Sequence, residues 1–306
     1  ITLPATIRSI GSNAFSGCTG LTEVNLPEGL TTIHTCAFQN CTSLVSIDIP
    51  DSVTTIAARA FYKCTKLAEV GYPAGWTTLL DYNYSSTDKI DYLSNGDSRY
   101  TSPFEGCTAL KKITVDEGVA FIPKHAFRYV TALEEVILPE SLTSIYVYAF
   151  DGCTGLATIE LNAGLDTVGS YAFQGCTGLK TVTTPESLTK INSYAYSGCS
   201  GLNSITLNEG LTSIGSYAFQ NCTGLKSIAI PETVTLLNVG VFNGCSGLTE
   251  VDLPETLTAI YVYAFQNCTS LVSIDIPDSV TAIAARAFYK CTKLAEVGYP
   301  AGWTTL

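Results

Sequence analysis

The groups able to do covalent or metal chemistry in this 306-residue chain are twelve cysteines, two histidines and 27 carboxylates. That many cysteines would ordinarily suggest a disulfide framework or zinc sites. Their spacing points elsewhere. Eleven fall in one register, from Cys18, Cys41 and Cys64 through Cys107, Cys153 and Cys176 to Cys291, and Val130 occupies the remaining slot. A position that accepts valine is an apolar core position, where a free thiol behaves as a small hydrophobe. In-register side chains on neighbouring coils also sit too far apart for an S–S bond. Free thiols are therefore expected, with Cys36, outside the register, the most accessible. His34 and His125 lie in separate coils, and no CxxC, HExxH, GxSxG, phosphate-binding loop or GxGxxG is present. The commonest general acid–base residue is almost missing. The expectation is a non-enzyme with no cofactor and no metal ligand set.

The elements that carry these residues follow from the same period. Phe15, Phe38, Phe61, Phe104, Phe127, Phe150, Phe173, Phe219, Phe242, Phe265 and Phe288 recur every 23 residues, with Tyr196 filling one slot and one step of 43 between Phe61 and Phe104. Leu follows each six places on, so the unit reads L-x-x-(I/V)-x-L-P-E-x-L-T-x-I-x-x-x-A-F-x-(G/N)-C-x-x. Self-similarity at this period means a solenoid, in which each coil buries itself only against its neighbours. In L-x-x-I-x-L the alternation predicts a half-buried strand that pairs in parallel with its copies. The following Pro ends the strand because it lacks an N–H. L-T-x-I reads as a short extended piece. A-F-x-(G/N)-C reads as one helical turn closed by a left-handed Gly or Asn. Residues 37–79 recur at 264–306 with one difference, Thr55 against Ala282, as block copying of a stackable unit would produce.

The pattern is similar to the BspA-type leucine-rich repeats, and Leu133-Glu134-Glu135-Val136-Ile137-Leu138-Pro139-Glu140-Ser141-Leu142-Thr143-Ser144-Ile145, continuing to Ala149-Phe150 and Cys153, carries the likeness. The resemblance implies an α/β-type leucine-rich-repeat solenoid, right-handed, with a parallel β-sheet on the concave side. Short extended pieces and single helical turns would then line the convex side. It also implies a surface or secreted protein acting in adhesion or coaggregation, with a host matrix or cell-surface protein as partner. The family pattern carries no binding residues that transfer position by position. One solenoid is expected over residues 1–306, with an insertion at 80–100.

Net charge of −11 argues against a nucleic acid or an anionic membrane as partner. No apolar run approaches the roughly 18 residues that a membrane span needs. The chain opens inside a repeat, at Ile1-Thr2-Leu3-Pro4, and reads as a piece of a longer protein. A monomer is expected.

Three surfaces could bind a partner. The third and fifth residues of each strand should face the concave side, and nine are acidic, among them Glu135, Glu160 and Asp252, against one basic residue, Lys112. This favours a basic partner or a divalent cation, although an ordinary solvated face has the same composition. A second acidic row, including Glu186, Glu209, Glu232 and Glu255, follows the Pro slot and reads as a solubilising edge. Tyr148, Tyr171, Tyr194, Tyr217 and Tyr263 precede the Ala-Phe pair and should lie half-buried on one another with hydroxyls in water. The insertion brings Tyr82, Tyr84, Tyr92 and Tyr100, and insertions in solenoids often carry function. The sequons at Asn40, Asn221 and Asn267 coincide with the repeat. Protein binding and adhesion is the first functional reading, with the insertion weighted above the concave carboxylates. A structural spacer displaying another domain is the second, and an enzyme the third.

Overall fold

The computed structural model describes residues 1–77 and 101–299. The insertion, with Tyr82, Tyr84, Tyr92 and Tyr100, lies outside the described residues. Coils are numbered 1 to 12 by their spine residue, from Phe15 to Phe288.

Most coils carry, after the spine residue, a three-residue strand whose middle side chain is usually buried between two exposed ones, as in Glu135–Ile137, where Val136 points inward. Neighbouring strands pair in parallel at the repeat offset: Lys112 opposes Glu135, and Thr181 opposes Ser204. The expected half-buried strand and its register are thus both present. The ladder is less continuous than expected, because it falls into pairs. Between pairs the amides of Ala157 and Lys226 reach the carbonyls of Glu134 and Asn203 at 3.4 Å, whereas within pairs Glu134 and Thr249 reach Lys111 and Lys226 at 2.7 and 2.8 Å.

The T-x-I segment forms a second parallel ladder, longer than the first. Phe121–Ile122, Ser144–Ile145, Thr167–Val168, Lys190–Ile191 and Ser213–Ile214 run unbroken as five strands. Isoleucine or valine fills the buried position because a β-branched side chain suits a pleated, half-buried surface.

The expected helical turn at A-F-x-(G/N)-C is not present: no helix occurs among the described residues. A helix needs every amide to bond four residues back. Here alternate amides do something else. Ala149, Asp151 and Cys153 bond three residues back, to Tyr146, Tyr148 and Phe150, while Tyr148, Phe150 and Gly152 donate to Ser170, Ala172 and Gln174 of the next coil. The corner gives up helical bonds for inter-coil bonds, and every amide is still satisfied. The expected left-handed residue before each Cys is found in Gly152 (φ 73°) and Asn221 (φ 57°), and also at Lys63, Tyr129 and Lys290.

The core is the stacked spine. Phe rings of successive coils lie nearly parallel, with centroids 5.1 Å apart at Phe15–Phe38 and 5.9 Å apart at Phe104–Phe127. Phe61 and Phe104 stack at 5.3 Å although 43 residues separate them, so the spine runs on past the insertion. The widest step coincides with an aromatic wedge, where Trp76 packs edge-on against both Phe104 and Phe127 at 6.2 Å. Spine steps exceed the ~4.8 Å of parallel strands, so the stack bends with its strands on the inner side.

Candidate interaction surfaces

The cysteine register is buried from Cys41 to Cys268, and all twelve thiols are free. Its chemistry is more specific than packing. The Sγ of Cys153 donates to the carbonyl of Phe127 at 3.1 Å, and Cys176 and Cys199 donate in the same way to Phe150 and Phe173. Each such carbonyl also accepts the amide three residues on, as Phe150 accepts from Cys153. Two lone pairs thus receive two donors in a place water cannot reach. Burial raises the thiols of Cys107, Cys199 and Cys245 to about 12, which leaves them protonated and unreactive. The accessible thiol is not Cys36, which is half-buried. Cys18 is exposed instead.

The strand face presents the carboxylates as expected. Glu23, Asp48, Glu69, Glu135, Glu160, Glu250, Asp252, Asp275 and Glu296 are all exposed. The three singled out do not converge. Glu135 and Glu160 are in coils 5 and 6, and Asp252 is in coil 10, about 19 Å further along at the strand spacing. Glu135 is already paired with Lys112 at 3.1 Å. Between these acidic regions, Thr158, Thr181, Thr183 and Thr184 line a shallow concavity of about 360 Å³ with Glu160 at one side. Among the described residues no group of three or more His, Cys, Asp or Glu is placed to hold a metal ion. The second acidic row has a structural use as well as solubility: Asp51 and Glu117 accept the amides of Ala74 and Glu140 in the next coil, at 2.8 and 3.1 Å.

The tyrosines form a ladder. Tyr148, Tyr171, Tyr194 and Tyr217 stack at 4.6, 4.7 and 4.9 Å, nearly parallel, and His125 continues the row below Tyr148 at 5.0 Å. All four tyrosines are half-buried. Burial, then the neighbouring phenols, raise Tyr171 and Tyr194 above the ordinary phenol value, so they are hydroxyl donors at neutral pH. Their backbone is unexpected. All four have φ between 57° and 60°, in a slot where Asn13 and Gly240 adopt the same conformation. A left-handed L-residue costs about 1–2 kcal/mol, and a stacked ring pair returns about 0.5–1.5 kcal/mol. The ladder is therefore close to neutral for folding. It stops at Gly240, where a Cβ would collide with the Tyr217 ring.

Beside its lower end lies a buried ion pair that the sequence reading passed over. Arg128 Nε donates to Asp151 Oδ2 at 2.7 Å, and its guanidinium sits between the rings of Tyr129 and Tyr148, 4.7 and 4.8 Å from their centroids. The signal was available, since the two residues are opposite charges one repeat apart. Also unforeseen were Tyr146 and Val147, 43% and 40% exposed just before the ladder, and Tyr261, 40% exposed at the equivalent place five coils on.

Parallel coils of 23 residues, an inward leucine and phenylalanine spine, and an exposed strand face define a leucine-rich-repeat solenoid. The chain belongs to the BspA-type leucine-rich-repeat family, whose model matches it over residues 1–101, 97–226 and 212–306. A solved leucine-rich repeat protein from Bacteroides ovatus is 31% identical with a TM-score of 0.69, over 98% of this chain and 81% of that one. A leucine rich cell surface protein from Faecalibacterium prausnitzii is 27% identical with a TM-score of 0.53, over 99% of this chain and 88% of that one. No curated protein matches the sequence. Such solenoids are protein-interaction scaffolds. No helix of the described residues is long and apolar enough to cross a membrane.

Proposed function

We propose that this chain is a non-catalytic, monomeric protein-binding module of a cell-surface or secreted adhesion protein, a single solenoid over residues 1–306 with an insertion at 80–100. The observation that carries the reading is the exposed pair Tyr146 and Val147, next in sequence to the half-buried tyrosine ladder, with an exposed Tyr261 at the same place five coils on. A mere spacer needs no uncovered rings, whereas tyrosine is among the residues that dominate protein interfaces. The kinship to a protein described as a cell surface protein supports the location. Tyr82, Tyr84, Tyr92 and Tyr100 of the insertion extend the same ring chemistry, and Glu135, Glu160 and Asp252 supply a secondary, charge-selective face for a host matrix or cell-surface protein.

The test compares adhesion of host cells to immobilised chain, to a variant with Asp81–Arg99 replaced by a short Gly/Ser connection, and to the Glu135→Ala, Glu160→Ala, Asp252→Ala variant. The loop variant is expected to lose most of the binding at unchanged melting temperature. Binding abolished by the concave triple variant and untouched by the loop replacement would move the site to the strand face. No adhesion by the unaltered chain would defeat the reading.

A further inference from the structure

The tyrosine ladder has a chemistry that the folding of the chain does not require. Its rings sit in a left-handed slot that Asn13 and Gly240 fill without one, and stacking does no more than offset the backbone cost. The rings are half-buried, and the hydroxyls of Tyr171, Tyr194 and Tyr217 make no hydrogen bond to another described residue. What remains at the surface is a row of phenol donors.

The surroundings narrow the partner. The residue before each of these rings is small, Ser170, Ser193 and Ser216, and each is half-buried, so no bulky side chain stands directly before them. Residues 169–174, 192–197 and 215–220 contain no charged side chain, on a molecule whose net charge is −11. A cationic partner would find its complement on the strand face rather than here. The ridge suits an uncharged partner with regularly spaced backbone acceptors.

The spacing then selects the conformation. Measured between ring centroids, two steps of the ladder, from Tyr171 through Tyr194 to Tyr217, add up to about 9.6 Å. A polyproline II helix rises ~3.1 Å per residue with three residues per turn, so its equivalent carbonyls repeat every ~9.3 Å. Those carbonyls have no internal partner. A β-strand repeats at about 6.6–6.8 Å per two residues and would fall out of step within one turn. Aromatic surfaces bind proline-rich segments because that helix is already ordered before it docks.

We propose that Tyr171, Tyr194 and Tyr217 form a docking ridge for an uncharged, proline-rich polyproline II segment of a partner protein. The hydroxyls of Tyr171 and Tyr217 donate to carbonyls one helical turn apart, and the pyrrolidine rings rest on the ring edges. The inference rests on the protein-binding reading above but names a different surface and ligand.

The probe is a fluorescein-labelled, end-blocked decaproline, with a Gly/Ser decapeptide and an Arg/Lys-containing decapeptide of equal length as controls. Fluorescence anisotropy is read with the full chain. Saturable binding of decaproline is expected, at least tenfold tighter than either control. Tyr171→Asn, Tyr194→Asn, Tyr217→Asn keeps a residue that tolerates the backbone and is expected to weaken binding at least tenfold. Tyr171→Phe, Tyr194→Phe, Tyr217→Phe keeps the stack and should weaken it about fivefold, so the proposal stays testable should the Asn variant fold poorly. No saturable decaproline binding, equal binding of the Gly/Ser peptide, preference for the basic peptide, or affinity unchanged in the Phe variant would each overturn the proposal. Host-cell adhesion that survives the Phe variant alongside any of these results would leave the broader function standing and refute the ridge alone.

Discussion

Replacing Tyr196 by phenylalanine is expected to stabilise the protein. Tyr196 occupies the slot that phenylalanine fills in every other coil, stacked between Phe173 and Phe219 at 5.3 and 5.7 Å. Its side chain is 0% exposed, and its hydroxyl has no hydrogen-bond partner. A buried polar group left unsatisfied costs about 1–3 kcal/mol. Removing the oxygen leaves a void of roughly 15 Å³, worth about 0.4 kcal/mol against the change at ~24 cal/mol per Å³. The net gain should be near 1 kcal/mol or somewhat more. It should be read as a higher guanidinium midpoint at unchanged slope, with a melting temperature raised by about 2 °C. The reciprocal variant, Phe173→Tyr, buries a second such hydroxyl and should lose a comparable amount. The reasoning is refuted if Tyr196→Phe is neutral or destabilising, because the hydroxyl must then have a partner, such as a trapped water, that the packing conceals.

Burial raises the thiols of Cys107, Cys199 and Cys245 from 9.0 to about 12, so the folded chain holds these protons more tightly than the unfolded one. Their contribution is complete below pH 9 and lost towards pH 12; the guanidinium midpoint should fall across that window, and less steeply in the Cys107→Val, Cys199→Val, Cys245→Val variant. Thiol titration should find nearly twelve groups in denatured protein without reductant, and in native protein a fast reaction at Cys18 only; a shortfall after denaturation would mean that disulfides form. Asp151→Ala removes the carboxylate that Arg128 Nε is bonded to in a buried site and should cost about 3–5 kcal/mol, with Arg128→Met added to it restoring much of the loss; a difference below about 1 kcal/mol by chemical unfolding would show the pair to be hydrated. Millimolar calcium should leave the melting temperature unchanged at matched ionic strength, and a rise of several degrees would make Glu186, Glu209, Glu232 and Glu255 ligand candidates.

The repeat period, the inward Leu, Ile and Phe positions and the strand alternation were all legible in the sequence, because each depends on one side chain and the slot it recurs in. Parallel pairing at an offset of 23 follows from the same repetition. What depends on other offsets was not legible. The thiol of Cys176 bonds the carbonyl of Phe150, 26 residues back, and the amide of Phe150 bonds Ala172, 22 residues ahead. Neither offset is the period, so the corner read as a helical turn when its amides in fact belong to the next coil. That exchange also puts tyrosines into the left-handed region, where propensity would place Gly or Asn. The limit is clearest where the sequence repeats itself. Residues 37–79 and 264–306 differ at one position, yet Tyr72 is 3% exposed and Tyr299 is 49% exposed. Tyr72 is covered by Phe127 and Trp76, whose rings lie 6.3 and 5.4 Å from its own. The sequence by itself determined which side chains face inward. Which of them are covered, and by what, was decided by the coils stacked on either side.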